Sequence, residues 1–296
     1  PMLSYAAGYL DYLGTNKLSN EQIKQQFYKL ACDYSISERN EVSYITLSGL
    51  NSNLPQALAL LNNLLSNAKI DKEAYDLYVE QILKSRSDNK ANQKANFAAL
   101  RDYATYGKYN PTRNIPSEQE LKSINPQVLL NLLKNLKNYK LTVLYYGPSS
   151  LKEVDQLVSK TIQTPKMFAA VPAIKRYTEE TTPKNEVLIA PYDAKNIYMV
   201  QLHNQNQKWS ADRAPIIALF NEYFGGGMNA IVFQELREAR GLAYSASAVY
   251  ASPYRLGGNE SFYTYIITQN DKMMDCVREF NKLLNNVPVR QSGFDL

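Results

Sequence analysis

The chain has 296 residues, 45% hydrophobic and 21% charged, with 33 Lys and Arg against 28 Asp and Glu, for a formal net charge of +5. That length allows two domains with a core in each, and the composition is that of an ordinary globular protein. Scattered basic residues without a dense block argue against a nucleic-acid footprint, and no apolar run approaches the length of a membrane span.

Residues 3–13 carry Leu3, Ala6, Ala7, Leu10 and Leu13 at helical spacing and stop at Gly14. The approach to this helix lacks a basic n-region and a continuous apolar stretch, so it is no signal peptide and the chain reads as starting mid-protein. Ser19 and Gln22 make a capping-box pattern that opens a helix to about Ala31. "EVSYITLSG" alternates Val42, Tyr44, Thr46 and Ser48 against Ser43, Ile45, Leu47 and Gly49, the period of a strand. Helices are expected over 54–68, from an Asp71 N-cap to about Arg86, over 92–106, near Ser117, and over 126–138 with Pro126 in the first turn. "KLTVLYYG", residues 140–147, reads as a compact buried strand. Proline-punctuated and without a sustained period, 164–185 reads as a linker. Beyond it, "EVLIAP", "IYMVQLHN", "YSASAVYAS" and "SFYTYIITQ" read as strands, with helices over 212–223, 228–240 and 271–285. The expected fold is α+β, with a first domain over 1–163 and a second over 186–296, each an antiparallel-rich sheet packed with helices.

Candidate chemistry is sparse. Cys32 and Cys276 are isolated, which argues against a disulfide framework and a thiolate zinc site. His203 is the only histidine, so a two-histidine metal site cannot form, and a strand-end structural or solvated role fits it better. No G-x-S-x-G elbow supports a nucleophile built on His203. "FGGGMN", residues 224–229, lacks the ending of a P-loop and the spacing of a dinucleotide fingerprint; its glycines suit a tight turn between packed helices.

"FQELREARGLAYS", residues 233–245, reads as a helix end, a Gly241 stop and a strand start. Phe233 and Arg237 lie four apart on one helix face, and Tyr244 follows Gly241 on one side of the strand. A fixed guanidinium and a neutral phenol are both donors, suited to a peptide carbonyl that gains negative charge. By spacing alone the plain reading carries more weight: Arg237 pairs with Glu238 or another acid, and Tyr244 sits half-buried in a sheet.

"YFGGGMNAIVFQELREARGLAYSASAVY" resembles the C-terminal half of zinc peptidases of the pitrilysin/insulinase family, the inverzincins. The resemblance continues through "FYTYIITQNDKM", "GYLDYLGT" and "VLYYGP" and covers essentially the whole chain. It implies four homologous α+β domains forming two halves that clamp over a peptide. In that family the N-terminal half carries zinc through H-x-x-E-H, whose glutamate acts as general base on the bound water. The C-terminal half supplies an arginine and a tyrosine near the scissile bond, which implies these roles for Arg237 and Tyr244. Phe233 matches a position that lines a substrate side-chain pocket.

The departures are informative. The zinc motif aligns with Tyr5 to Tyr9, where Tyr5 and Tyr9 replace the histidines and Gly8 replaces the glutamate. Only Glu80 lies near the expected third ligand, so no metal role carries over and the first domain resembles the metal-free repeat. Both domains read as truncated, the second incomplete at its C-terminus. The expectation is therefore a fragment of a zinc metalloendopeptidase, inactive and zinc-free alone, that closes the peptide chamber of a zinc-bearing parent. Its expected partners are a peptide or unfolded protein substrate and the N-terminal half of the same protein, with no nucleic acid and no membrane span. The compartment is left open, with the cell envelope or periplasm following from a signal peptide on the parent. The alternatives are a non-catalytic scaffold of the processing-peptidase superfamily and an interaction module that binds peptides along a strand edge.

Overall fold

The computed structural model describes residues 2–39, 42–253 and 256–291. In chain order these form α1 (Met2–Leu10), α2 (Asn20–Lys29), β1 (Cys32–Arg39), β2 (Val42–Gly49), α3 (Leu54–Asn67), α4 (Lys72–Lys90), α5 (Gln93–Tyr106), α6 (Glu118–Ser123), α7 (Pro126–Asn135) and α8 (Leu151–Thr161). After a long irregular stretch come β3 (Asn196–His203), α9 (Ala214–Phe220), α10 (Ile231–Phe233), β4 (Ser245–Ala251), β5 (Ser261–Gln269) and α11 (Met273–Asn285). This is the mixed α+β architecture expected. The chain divides into two compact units, Pro1–Asp88 with Asn114–Lys175, and Asn89–Arg113 with Arg176–Leu296.

In the first unit, local chemistry sets the helix ends. Ser19 accepts from the Gln22 amide while the Gln22 side chain accepts from the Ser19 amide, a reciprocal cap that opens α2. Ser117 with Glu120 and Ser150 with Glu153 repeat the device at α6 and α8. Asp71 accepts from the Ala74 amide at 2.9 Å, the cap expected for α4. Tyr9, Leu10 and Leu13 from the first helical segment meet Leu61 and Leu64 of α3 and Leu129, Leu130 and Leu133 of α7 in one core. The spacing of these leucines is the stripe that a helix must bury, and each full burial contributes roughly 1.5–3 kcal/mol. β1 and β2 form an antiparallel pair, with Cys32 opposite Gly49 and Ile36 opposite Ile45.

In the second unit, β3, β5 and β4 form an antiparallel sheet in that order. Period-two alternation divides its side chains between two faces. Met199, Phe262, Ile266, Ala246 and Ala248 face Phe224, Ile231, Val232 and Leu236, with Cys276 and Phe280 of α11. On the opposite face α5 packs through Phe97, edge-on to Tyr198 at 5.7 Å and tilted against Tyr265 at 6.3 Å. That packing groups α5 with the second unit although it precedes the proline-rich segment in sequence.

Four local expectations change. "KLTVLYYG" forms no strand: Leu144 and Tyr146 are exposed, and no described segment pairs with it. "EVLIAP" likewise forms none, with Val187 and Ile189 exposed. Both have β-type composition, but a strand is completed only by a neighbour that takes up its backbone hydrogen bonds. Conversely, polar "CDYSISER" is a strand because β2 pairs with it, and α8 is a helix that its Ser150–Glu153 cap announces.

Candidate functional site

The helix–strand corner of the second unit starts from a close approach. A Cβ built on Gly225 would lie 2.2 Å from the Ala248 carbonyl oxygen, so glycine is required where the chain passes β4. Gly225, Gly226 and Gly227 do not take up positive φ, so backbone contact rather than turn geometry explains the triplet at its first position. The expected helix over 228–240 begins later, at Ile231, and widens into a π-type turn over Gln234–Ala239. Gly241 then adopts φ +57°, a left-handed conformation that suits glycine, and its amide bonds to the Arg237 carbonyl at 3.0 Å. Leu242 and Ala243 both donate to the Leu236 carbonyl, at 2.9 and 3.3 Å, and close the end of the helix.

Further contacts hold the corner. Lys272 donates to the Gly241 carbonyl at 3.1 Å, and Thr268 to the Leu242 carbonyl at 2.5 Å. Glu235 takes ion pairs from Arg240 at 3.4 Å and from Arg290. The Tyr244 amide bonds to the Ile267 carbonyl at 2.8 Å, which registers the segment against β5. The side chains expected to act are therefore mounted on a tightly bonded backbone.

Arg237 is half-exposed. Its guanidinium carbon lies 4.8 Å from the centre of the Phe233 ring, and its Nε lies 3.7 Å from Glu238, itself half-exposed. Such a solvated pair adds little, whereas the aromatic face restricts where the guanidinium points. Tyr244 is 55% exposed, not half-buried in the sheet. Its hydroxyl accepts from Gln269 Nε2 at 3.0 Å, and no described residue takes its own proton. The corner thus carries two donors with spare capacity, each with its own neighbours. Gln269 has no signal in the sequence, because 25 positions separate it from Tyr244 and only the β4–β5 pairing brings them together.

The other candidate positions hold no comparable arrangement. His203 is exposed at the end of β3, opposite Phe262. In the first unit, Tyr9 is fully buried; its hydroxyl donates to the Asp71 carbonyl at 2.6 Å and accepts from the Asp71 amide at 3.1 Å. Burial, above all, raises its pKa, so the phenol stays protonated well into the alkaline range. A Cβ on Gly8 would lie 2.4 Å from the Tyr78 hydroxyl, and Tyr5 accepts from Arg86 at 3.0 Å. Glu80 points to solvent on α4. These residues do not fit zinc: both phenols are occupied by hydrogen bonds and Gly8 faces an aromatic wall. Among the described residues no group of three or more His, Cys, Asp and Glu could hold a metal ion, and no helix is long and apolar enough to cross a membrane.

Comparison with known proteins agrees with this architecture. The model of the family described as peptidase M16 inactive domain matches residues 123–289. A relative from Rickettsia felis, named an uncharacterized zinc protease, is 22% identical over 282 residues; the match covers 92% of this chain and 64% of that protein. This chain therefore spans under two thirds of that relative's length. The solved peptidase M16 inactive domain from Pseudomonas fluorescens aligns with 100% of this chain and 72% of its own, with a TM-score of 0.70 at 17% identity. The ferredoxin protease FusC, solved in complex with Arabidopsis ferredoxin, aligns with 99% of this chain and 32% of its own, with a TM-score of 0.74 at 12% identity. Because the family model covers more than half of a chain that also shares its fold, this protein belongs to the peptidase M16 inactive-domain family.

Proposed function

We propose that this chain is the metal-free half of a zinc metalloendopeptidase, whose zinc and general base lie on an N-terminal half. Zinc there would polarise the scissile carbonyl and activate water. In this chain Arg237 and Tyr244 would donate hydrogen bonds to the peptide carbonyl as it gains negative charge, and Phe233 would contact a substrate side chain. The observation that carries the reading is the exposure of two donors with spare capacity on one rigidly bonded corner. Preorganised donors of this kind stabilise a tetrahedral intermediate without reorganising during the reaction. The relatives named as proteases, one of them solved with a protein bound, support a peptide or protein substrate.

The test uses the complete protein. Arg237→Ala and Tyr244→Phe are expected to lower kcat on a peptide substrate about 10²-fold, with a smaller change in KM. Unchanged kcat would remove the pair from the reaction. The purified 296-residue chain alone is expected to cleave nothing, and zinc-dependent cleavage by it would overturn the division of labour. The family's description as an inactive domain favours one second reading, a scaffold that captures peptide without catalysis. An H-x-x-E-H motif elsewhere in the parent separates the two.

A further inference from the structure

We propose that the second unit holds a small-molecule site for a planar aromatic carboxylate, in a groove between α5 and the face of the three-stranded sheet turned away from its core. The groove has a volume of about 370 Å³, within the range of pockets that enclose a compact organic molecule. Lys94, Phe97 and Arg101 form its helix wall, at spacings of three, four and seven that place them on one face of α5. Tyr198 of β3, Tyr263 and Tyr265 of β5 and Ser247 of β4 form the sheet wall, brought to one side by period-two alternation and the strand register.

The polar groups of the groove call for an anion. Among the described residues the hydroxyls of Tyr198, Tyr263, Tyr265 and Ser247 have no hydrogen-bond partner, and neither Lys94 nor Arg101 has an ion pair. No carboxylate of a described residue lines the groove, so each of these groups is free to donate. Burial, above all, and the nearby Tyr198 raise the pKa of Tyr265 against the pull of Arg101, so its phenol keeps the proton it would donate. The planar fork of Arg101 matches a carboxylate with two parallel hydrogen bonds, and Lys94, two turns away on α5, adds a second positive charge.

The apolar part of the groove calls for a flat ring. Tyr263 and Tyr265 are two positions apart on β5, roughly 7 Å, so a ring placed between them would lie about 3.5 Å from each. Phe97 already meets the rings of Tyr198 and Tyr265, whereas Tyr263 makes no ring contact with a described residue. An open aromatic slot therefore stands beside a filled one. The tyrosines and Phe97 are half-buried, and the reduced water around them strengthens the attraction of a bound carboxylate to both cations.

This site uses neither Arg237 nor Tyr244, so either reading can fail without the other. The test titrates three probes into the 296-residue chain by isothermal calorimetry: 2-naphthoate, the neutral 2-naphthylmethanol and the non-aromatic cyclohexanecarboxylate. The naphthoate is expected to bind with a Kd of about 0.1 mM, and the other two about tenfold more weakly. Arg101→Gln, at an exposed side chain and with folding checked by circular dichroism, is expected to bring the naphthoate down to the affinity of the alcohol. Tyr263→Leu, which keeps an apolar wall but removes the ring, is expected to bring it down to the affinity of the saturated acid. No binding, equal affinity for the three probes, or a naphthoate affinity unchanged in Arg101→Gln would overturn the proposal.

Discussion

The stretch of α1 from Tyr5 to Tyr9 and the corner at Gly241 are two positions that the family resemblance marks for chemistry, and they have opposite fates. At α1 the polar groups are used up: the Tyr9 hydroxyl both donates to and accepts from the Asp71 backbone, and Tyr75 closes on its ring edge-on at 5.2 Å. At the corner they are held in place but not consumed, since among the described residues Arg237 has one distant acid and nothing accepts from the Tyr244 hydroxyl. A polar side chain satisfied inside a core stabilises the fold and has little left to offer a substrate. One held on rigid backbone with a free donor does the reverse. The contrast separates a position whose polar groups are spent in packing from one whose donors stay open.

The largest expected effect is Arg237→Ala, read in the complete protein: kcat falls about 10²-fold, roughly 2.7 kcal/mol of barrier, while the melting temperature of the chain stays within about a degree. Loss of stability without loss of turnover would break the comparison, because the corner would then be structural as well. Gly225→Ala is expected to cost about 3 kcal/mol by denaturant unfolding, since the added methyl meets the backbone of β4 rather than a movable side chain. This change would damage the corner through its support alone.

Alkaline titration comes next. Burial pushes the Cys276 thiol up to about 11 from an ordinary value of 9.0. The unfolded chain therefore ionises first: this contribution to stability is complete below pH 9 and is lost as pH rises towards 11. The loss approaches roughly 2–3 kcal/mol, and Cys276→Ala should abolish that part of the profile. Burial also raises Tyr9, Tyr34 and Tyr78, which act in the same direction and persist in the variant. The smallest expected effect belongs to α1. Tyr9→Phe orphans the Asp71 amide and should cost about 1–2 kcal/mol by the same measurement. No change would mean that the phenol is not the structural element described above.

Much of the fold was legible because its signals are local. The Ser19–Gln22 cap, the leucine stripe of 126–138 and the alternation of "SFYTYIITQ" each need only a few consecutive residues to be read. The misses over strands share one cause. "KLTVLYYG" and "EVLIAP" carry the residues of strands without a partner, and "CDYSISER" carries a polar sequence made into a strand by one. At the corner, Phe233, Arg237 and Tyr244 stood out by spacing and by family resemblance. Gln269, Lys272 and Thr268, which hold that corner, did not, because β5 and the residues after it reach the corner only through the fold.

By itself the sequence determined most of the helices with their caps, the α+β class, the family and the two donors flanking Gly241. It did so because caps, periodicity and motifs are properties of neighbours along the chain. Only the tertiary structure decided whether a polar group is consumed or spare: the burial of Tyr9 against Asp71 and the exposure of Tyr244 both depend on what packs alongside. Hydrogen-bond capacity is exhausted or preserved by contacts between segments distant in sequence, and those contacts exist only once the chain has folded.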